Sequence, residues 1–283
     1  MSRARPGSLV RLAGLCVVAF AISIPFIWMV SASFKPREEV EEVRIVPEAP
    51  TLRNYPIILN FIPDPGTNKL LNLRFGRWYF NSILLAVGIT VLQVLTSAMA
   101  AYAFSRMHWR GRDTVFLLYL ATMMVPGVVT MIPNYQIMVS LRFLNTYRGL
   151  ILPAAFSAFG TFLLRQFMLS IPPSLDEAAK IDGASHWQIF WQVIMPLARP
   201  GLIALAIFTF LGAYRSFFWP LIMLHDDQYF PMQVGMLELD TTYGRQTELI
   251  MAATVMNIVP LVIVFVIFQK FLVKGIQLGS VKG

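Results

Sequence analysis

The sequence predicts an all-α, polytopic membrane protein with six transmembrane helices. Three observations predict it. Hydrophobic residues make up 57% of the 283-residue chain and charged residues only 13%, about half the share of an ordinary soluble domain. The apolar residues gather in six long runs, each near the ~20 residues an α-helix needs to cross a hydrocarbon core about 30 Å thick. The basic residues behind the net charge of +8 fall in small groups between these runs, as membrane-flanking charge does, and form no single stripe of the kind that binds nucleic acid. A soluble enzyme of this size would expose too much apolar surface, and a disordered chain would be far more polar. The single cysteine, Cys16, excludes a disulfide framework or a CxxC metal site within the chain.

The first run, Leu12–Phe34, follows the basic Arg3, Arg5 and Arg11. Val30-Ser31-Ala32 would pass as a signal-peptidase site, but the run exceeds the ~7–15 residues of a signal core, so an uncleaved anchor is expected over residues 1–34. Residues 35–79 form an extracytoplasmic segment. A permease core over 80–273 then carries the runs Phe80–Phe104, Thr114–Val139, Gly149–Ile171, Gly201–Leu224 and Leu249–Val273, and 274–283 is a short tail. Pro25, Pro126, Pro133, Pro153, Pro220 and Pro260 lie inside runs. Proline removes a helix hydrogen bond and kinks the backbone, so these residues either shape the bundle or break a helix along a path, above all between Pro126 and Pro133.

Orientation follows from lysine and arginine. With the N-terminus cytoplasmic, inside segments carry Arg3, Arg5 and Arg11, then Arg106, Arg110 and Arg112, then Arg165, Lys180 and Arg199, then Lys270, Lys274 and Lys282. The two short outside loops carry Arg142, Arg148 and Arg245, while the first outside segment, 35–79, carries seven more that narrow the contrast beside six acids, which count for little in this rule. Both termini are therefore placed in the cytoplasm. Trp28, Trp78, Trp109 and Trp219 fall near run ends, as an aromatic belt does.

Carriers driven by ions place carboxylates or histidines deep in the membrane. Here no acid lies well inside a run, and His108, His186 and His225 fall between runs. The P-loop pattern for ATP is absent, and no Ser/His/Asp set can assemble at membrane depth. The energy for any transport must come from a partner. Arg215 is the one ionisable residue well within a run. It is expected to face the bundle interior or a water-filled cavity, lining a path or holding structure by hydrogen bonds. Phe210, Tyr214 and Phe217 stand at i, i+4 and i+7, one helical face, available for stacking a sugar ring or for plain helix packing.

The segment from Pro172 to Pro200 reads as two short helices. Ser174-x-x-Glu177 and Ser185-x-x-Gln188 match the capping box. Asp176 and Glu177 suit a helix N-terminus, and Gly183 suits a left-handed stop. Ile189, Phe190, Val193 and Ile194 give the second helix an apolar face, and Pro196 is expected to end it. Small residues on the first helix, Ala178, Ala179 and Gly183, let another protein approach closely, although a plain connection would look similar.

The run Glu177-Ala178-Ala179-Lys180-Ile181-Asp182-Gly183, nine further residues, and Val193-Ile194-Met195-Pro196 resembles the E-A-A-x-x-x-G-x(9)-I-x-L-P motif of permease subunits of ABC importers. Asn81-Ser82 and the ending from Val273-Lys274-Gly275-Ile276 to Gly279-Ser280-Val281-Lys282-Gly283 are similar to the carbohydrate branch, the maltose-type second permease. Tyr214-Arg215-Ser216 departs from the Trp-Asn-Asp/Glu-like tripeptide frequent there. The resemblance implies a MetI-like fold in a bacterial or archaeal inner membrane. It implies an interface with an ATPase made by Asp176, Glu177, Ala178, Ala179, Asp182, Gly183 and Pro196. The implied partners are a second, homologous permease, two ATP-binding-cassette subunits and an extracytoplasmic solute-binding protein. The chain itself would bind no cofactor, ATP and Mg belonging to the ATPase, and would have no catalytic residue and no metal. A stand-alone carrier or channel for a small polar solute is the alternative.

Overall fold

A computed structural model describes residues 6–42, 44–66, 68–243 and 246–280. The basic residues Arg3, Arg5, Arg245 and Lys282, and the end of the tail from Val281 on, lie outside the described residues. Helices follow one another as α1 (Pro6–Ala32), α2 (Asn54–Ile58), α3 (Phe75–Arg106), α4 (Arg112–Ala121), α5 (Gly127–Ser140), α6 (Tyr147–Ala154), α7 (Ala158–Leu169), α8 (Ser174–Ile181), α9 (His186–Gln188), α10 (Met195–Leu197), α11 (Arg199–Tyr214), α12 (Phe218–Met223), α13 (Met232–Tyr243) and α14 (Thr247–Ser280). Among the described residues there is no strand, only an isolated bridge between Asp64 and Lys69.

Three helices are long and apolar enough to cross a membrane alone: α1 over Arg11–Ala32, α3, and α14 over Thr247–Gln269. Three bent pairs, Arg112–Met124 with Gly127–Ser140, Tyr147–Ala154 with Ala158–Leu169, and His186–Leu197 with Arg199–Tyr214, bring the number to six if each is one span. The expected runs are all largely helical, with two differences beyond the bends within Thr114–Val139 and Gly149–Ile171. The Gly201–Leu224 run does not make one helix: α11 ends at Tyr214 and α12 restarts at Phe218, because Pro220 has no N–H for the carbonyl of Ser216 and its ring crowds it. The tail is not separate from the last span, since α14 continues as helix through Ser280.

The chain divides into two compact units. One runs to Gly76 and adds Gly235–Val259. Its connection between α1 and α3 is nearly devoid of regular structure, yet it is ordered by side chains bonding to backbone. Asn54 Nδ2 donates to the carbonyls of Ser33 and Lys35, both at 2.9 Å. The fully buried Lys35 donates from Nζ to the Glu42 carbonyl at 2.9 Å, and the Glu39 carboxylate accepts from Glu48 N at 2.6 Å and Ala49 N at 3.3 Å. These bonds supply what a ladder would otherwise supply to buried backbone groups.

The other unit holds Arg77–Val234 and the chain from Pro260 on. The two breaks over 112–169 follow proline chemistry. α4 ends through a 3-10 turn, Thr122–Met124, and α5 leaves at 98°. Pro126 cannot donate to the Thr122 carbonyl, which takes the Val125 N–H at 3.2 Å instead. Pro133, by contrast, sits within α5 without ending it. At the 43° bend between α6 and α7, Ser157 Oγ caps Gly160 N at 3.0 Å and Thr96 of α3 donates to the Ala155 carbonyl at 2.5 Å. Neighbouring side chains thus satisfy the polar groups that a broken membrane helix frees.

The core of this unit packs α3, α7 and α11 around Ala98, Ala101, Leu164, Met168 and Leu205. Glycine permits the close approach. A Cβ on Gly160 would stand 2.6 Å from Ser97 Oγ and 3.2 Å from Leu205, and one on Gly201 would stand 2.6 Å from the Phe167 ring. Gly160→Leu is therefore expected to cost about 1–3 kcal/mol by overpacking and to lower the thermal unfolding midpoint in detergent. Gly212→Ala, where nothing lies within 4 Å, is expected to leave the midpoint unchanged or higher. Equal midpoints for the two variants would show that this packing is not the stabilising contact.

Candidate functional site

The segment between α7 and α11 forms the two short helices expected from its sequence, α8 and a second helix from His186 to Leu197. Gly183 takes φ +81°, and the turn is a complete Schellman motif: Gly183 N–H donates to the Lys180 carbonyl at 3.0 Å and Ala184 N–H to the Ala179 carbonyl at 2.9 Å. Ser185 and Gln188 form the expected capping box. The other expected box does not form. Ser174 is already the first helical residue of α8, Pro173 is the cap, and no side chain caps the helix. Proline pre-sets the helical φ there, so the helix starts one residue earlier than a serine cap requires.

Pro196 does not end the second helix either. The helix passes through a π-helical stretch, Ile189–Ile194, and through α10 before breaking at Ala198 by 77°. A π turn re-registers the ladder just ahead of the proline that cannot donate to it, while Ile189, Phe190 and Ile194 stay buried in the core.

One buried cation holds the segment in place. Arg106, the last residue of α3 and 9% exposed, pairs through Nη1 with Asp176 Oδ2 at 3.2 Å. Its Nη2 donates to the carbonyl of Ile171 at 2.7 Å and to that of Met168. The guanidinium thus binds the C-terminal carbonyls of α7 and the first-turn carboxylate of α8 at once, the fork geometry that arginine supplies and lysine does not. A second arginine braces the neighbouring corner: Arg165 donates from Nε to the Phe104 carbonyl at 3.2 Å, lies 3.5 Å from the Asp113 carboxylate and covers the Phe116 ring at 4.3 Å.

This arrangement sorts the expected interface residues. Glu177, Ala178, Asp182, Gly183 and Pro196 are exposed, and Ala179 is half-buried against the core. Asp176 is not part of the exposed face. It is 9% exposed and turned toward Arg106, because an unpaired carboxylate in that position would be too costly to bury. Arg106 escaped the sequence reading, where it counted only as an inside charge; its place in the last turn of a span, where cations suit the helix dipole, was the available signal. Leu175 and Ile181 were also missed, although Ile181 is 86% exposed and the two lie on the side of α8 that carries Ala178. On the second helix, Trp187 and Trp191 are exposed and meet edge to face, ring centroids 5.7 Å apart. Beside them an apolar cavity of about 310 Å³ opens between Met99, Tyr102, Met107, His186, Trp187 and Phe190.

Residues 93–278 match the family described as binding-protein-dependent transport system inner membrane component. The chain belongs to this family. It is a permease subunit of an ABC importer, and the stand-alone carrier gives way to that reading. The permease is 35% identical over 278 residues to the arabinooligosaccharides transport system permease protein AraQ of Halalkalibacterium halodurans, covering 95% of each chain. It is 34% identical over 204 residues to the sn-glycerol-3-phosphate transport system permease protein UgpE of Yersinia enterocolitica, covering 71% of this chain and 73% of that one. Among solved structures it superposes on a chain of a bacterial ABC transporter involved in the import of the acidic polysaccharide alginate, with a TM-score of 0.81, 26% identity, and coverage of 95% of this chain and 99% of that one.

The four residues expected along a path are not brought onto one face of the permease. Phe210 and Tyr214 stack at 5.9 Å, but Tyr214 is 1% exposed and packs inside. Phe217 lies beyond the end of α11 and so leaves the helical face it was expected to share. Arg215 is exposed and caps the C-terminus of α11, where a cation meets the negative end of the helix.

Arg106→Met is expected to destabilise the permease by about 3–5 kcal/mol, since it strands the Asp176 charge, and to lower the unfolding midpoint. Arg106→Met combined with Asp176→Leu is expected to recover much of the loss. A double variant no better than the single one would mean that the carbonyl contacts, and not the ion pair, dominate.

Proposed function

We propose that this permease moves a carbohydrate across the inner membrane and that α8 receives the driving motion from separate ATPase subunits. The observation that carries the reading is α8 itself. It is a short helix with Glu177, Lys180 and Asp182 exposed, held at both ends, by Arg106 at its start and by the Schellman turn at Gly183. A helix held in this way transmits force to what it is bonded to. ATP and Mg belong to the ATPase pair, a second, homologous permease completes the membrane path, and an extracytoplasmic solute-binding protein delivers the solute. The named substrates of the relatives support the carbohydrate class. The permease supplies the path and no catalytic group of its own.

Glu177→Lys is expected to lower uptake by about tenfold or more, equivalent to ~1.4 kcal/mol of docking free energy. Gly183→Asp is expected to do the same by placing a side chain and a negative charge on the face that the ATPase would grip, since nothing of the permease itself stands within 4 Å of a Cβ there. Uptake and co-purification with the ATPase check both, and wild-type values in both variants would remove α8 from the coupling role.

We also propose that both termini are cytoplasmic. An epitope inserted at Gly66 is then expected to react from outside intact cells, and one after Gly283 only after permeabilisation. The reverse pattern would invert the arrangement and place α8 on the wrong side for an ATPase.

A further inference from the structure

A cavity of about 350 Å³ lies between α3, α6, α11 and α12, lined among others by Ser82, Gln93, Thr209, Gly212, Ser216 and Trp219. Its size is at the lower end of the ~300–1,000 Å³ usual for small-molecule sites. Ser82 and Gln93 lie seven and eighteen residues into α3, so the cavity extends from about 10 to about 27 Å along that helix, well into membrane depth. On α11, Thr209 and Gly212 stand three apart, with Ser216 four residues on, just past the helix end, so they follow one side of it. The aromatic pair Phe210 and Tyr214 belongs to a different side of the same helix.

The chemistry of this lining is specific. Among the described residues it includes no charged side chain. It does include an amide and hydroxyls, which can both donate and accept. The Thr209 hydroxyl is buried behind this wall, out of reach of a water in this conformation, and has no hydrogen-bond partner, a state that costs free energy until the wall opens to a ligand or water. The Trp219 ring is fixed by its Nε1–H, which donates to the Gly149 carbonyl at 3.3 Å, and it adds an apolar surface of the kind on which the C–H face of a sugar ring packs. Gly212 keeps the wall open, with nothing within 4 Å of a Cβ position.

We infer that this cavity receives part of a neutral, polyhydroxylated solute during passage, so that this subunit selects against anionic sugars and sugar phosphates. A buried anion needs a paired cation or a dense set of donors, and the lining offers neither. The inference rests on the carbohydrate reading above and narrows it, toward the arabinooligosaccharide type of substrate and away from glycerol phosphate or an acidic polysaccharide.

The test uses the full complex in proteoliposomes, this chain with its partner permease, ATPase subunits and loaded binding protein. Uptake of neutral arabinose oligomers is compared with that of sn-glycerol-3-phosphate and of uronic acid oligomers, and ATP hydrolysis stimulated by the binding protein is followed in parallel. Wild type is expected to take up the neutral sugars only. Thr209→Val and Gln93→Leu are each expected to lower that uptake about threefold to tenfold, as for one lost neutral hydrogen bond, while stimulated hydrolysis stays near the wild-type rate. Gly212→Phe, which fills the cavity, is expected to block uptake. If Gly212→Phe also loses stimulated hydrolysis, the two conservative variants decide. Wild-type uptake in Thr209→Val and Gln93→Leu, or transport confined to the anionic solutes, would overturn the inference and leave the coupling role of α8 standing. No uptake of any carbohydrate by the wild-type complex, with hydrolysis intact, would overturn the carbohydrate reading itself.

Discussion

The buried guanidinium of Arg106 is the contact on which the architecture around α8 depends. Three helix ends meet at it: its own, at the C-terminus of α3; the carbonyls at the end of α7; and the first turn of α8 through Asp176. Each of these ends would otherwise bury unsatisfied polar groups. A cation at the C-terminal carbonyls of two helices is favoured by their dipoles, and a carboxylate at the N-terminus of a third is favoured by the opposite dipole. The pair is thus stabilised by more than its own attraction, which is how a buried ion pair offsets its desolvation. The consequence is mechanical. α8 is joined to the ends of α3 and α7 through one side chain, so a tilt of α8 pulls on both through that contact.

The second constraint is the bilayer, which leaves no water to satisfy a broken helix. Three helix pairs are sharply bent all the same, and each bend is matched to a local partner. Val125 N–H takes the carbonyl that Pro126 cannot reach. Thr96 reaches across from α3 to the Ala155 carbonyl. Around Ala198 the ladder is redirected, Ala198 donating to Ile194 at 2.8 Å and accepting from Leu202 at 3.0 Å. Elsewhere the loop ahead of α13 is clamped to α3 by Asn81, which donates to the carbonyls of Gln228 and Phe230, and by Ser82, which accepts from Met232 N. Tyr147 then donates to Asn81 Oδ1 at 2.7 Å. Asn81-Ser82 stood out in the sequence only as a family likeness; the structure shows it as a joint.

The spans were legible in the sequence because hydropathy over twenty residues is an additive property that neighbours do not alter. So were the Gly183 stop and the Ser185–Gln188 box, which depend on residues within one turn. What escaped depends on groups far apart in the chain. Asp176 reads as an exposed first-turn acid until Arg106, seventy residues earlier, is placed beside it. Ser174 reads as a cap until Pro172-Pro173 sets the start of the helix. Phe217 reads as part of an aromatic face until Pro220 breaks the helix between them. Periodicity assumes an unbroken helix, and proline acts three and four residues upstream of where it stands.

The two functional regions are joined by one element. α11 begins at Arg199, directly after the Ala198 break that closes the segment containing α8, and its far half carries Thr209 and Gly212 to the cavity. Its sixteen residues span about 24 Å. Along the way it packs closely on α7, through Gly201 against Phe167 and Leu205 against Gly160, where a Cβ on either glycine would be crowded. α7 is in turn bonded at its end to Arg106 and so to α8. A displacement of α8 therefore acts on α11 from two sides, through the chain at Ala198 and through α7. Under the proposed coupling, the driving motion would enter at the end of this linkage where ionisable groups are gathered, and among the described residues only uncharged side chains line the cavity at the other. Such a division suits a permease whose energy comes from outside the membrane: the path needs to match the solute and has no proton or ion to carry.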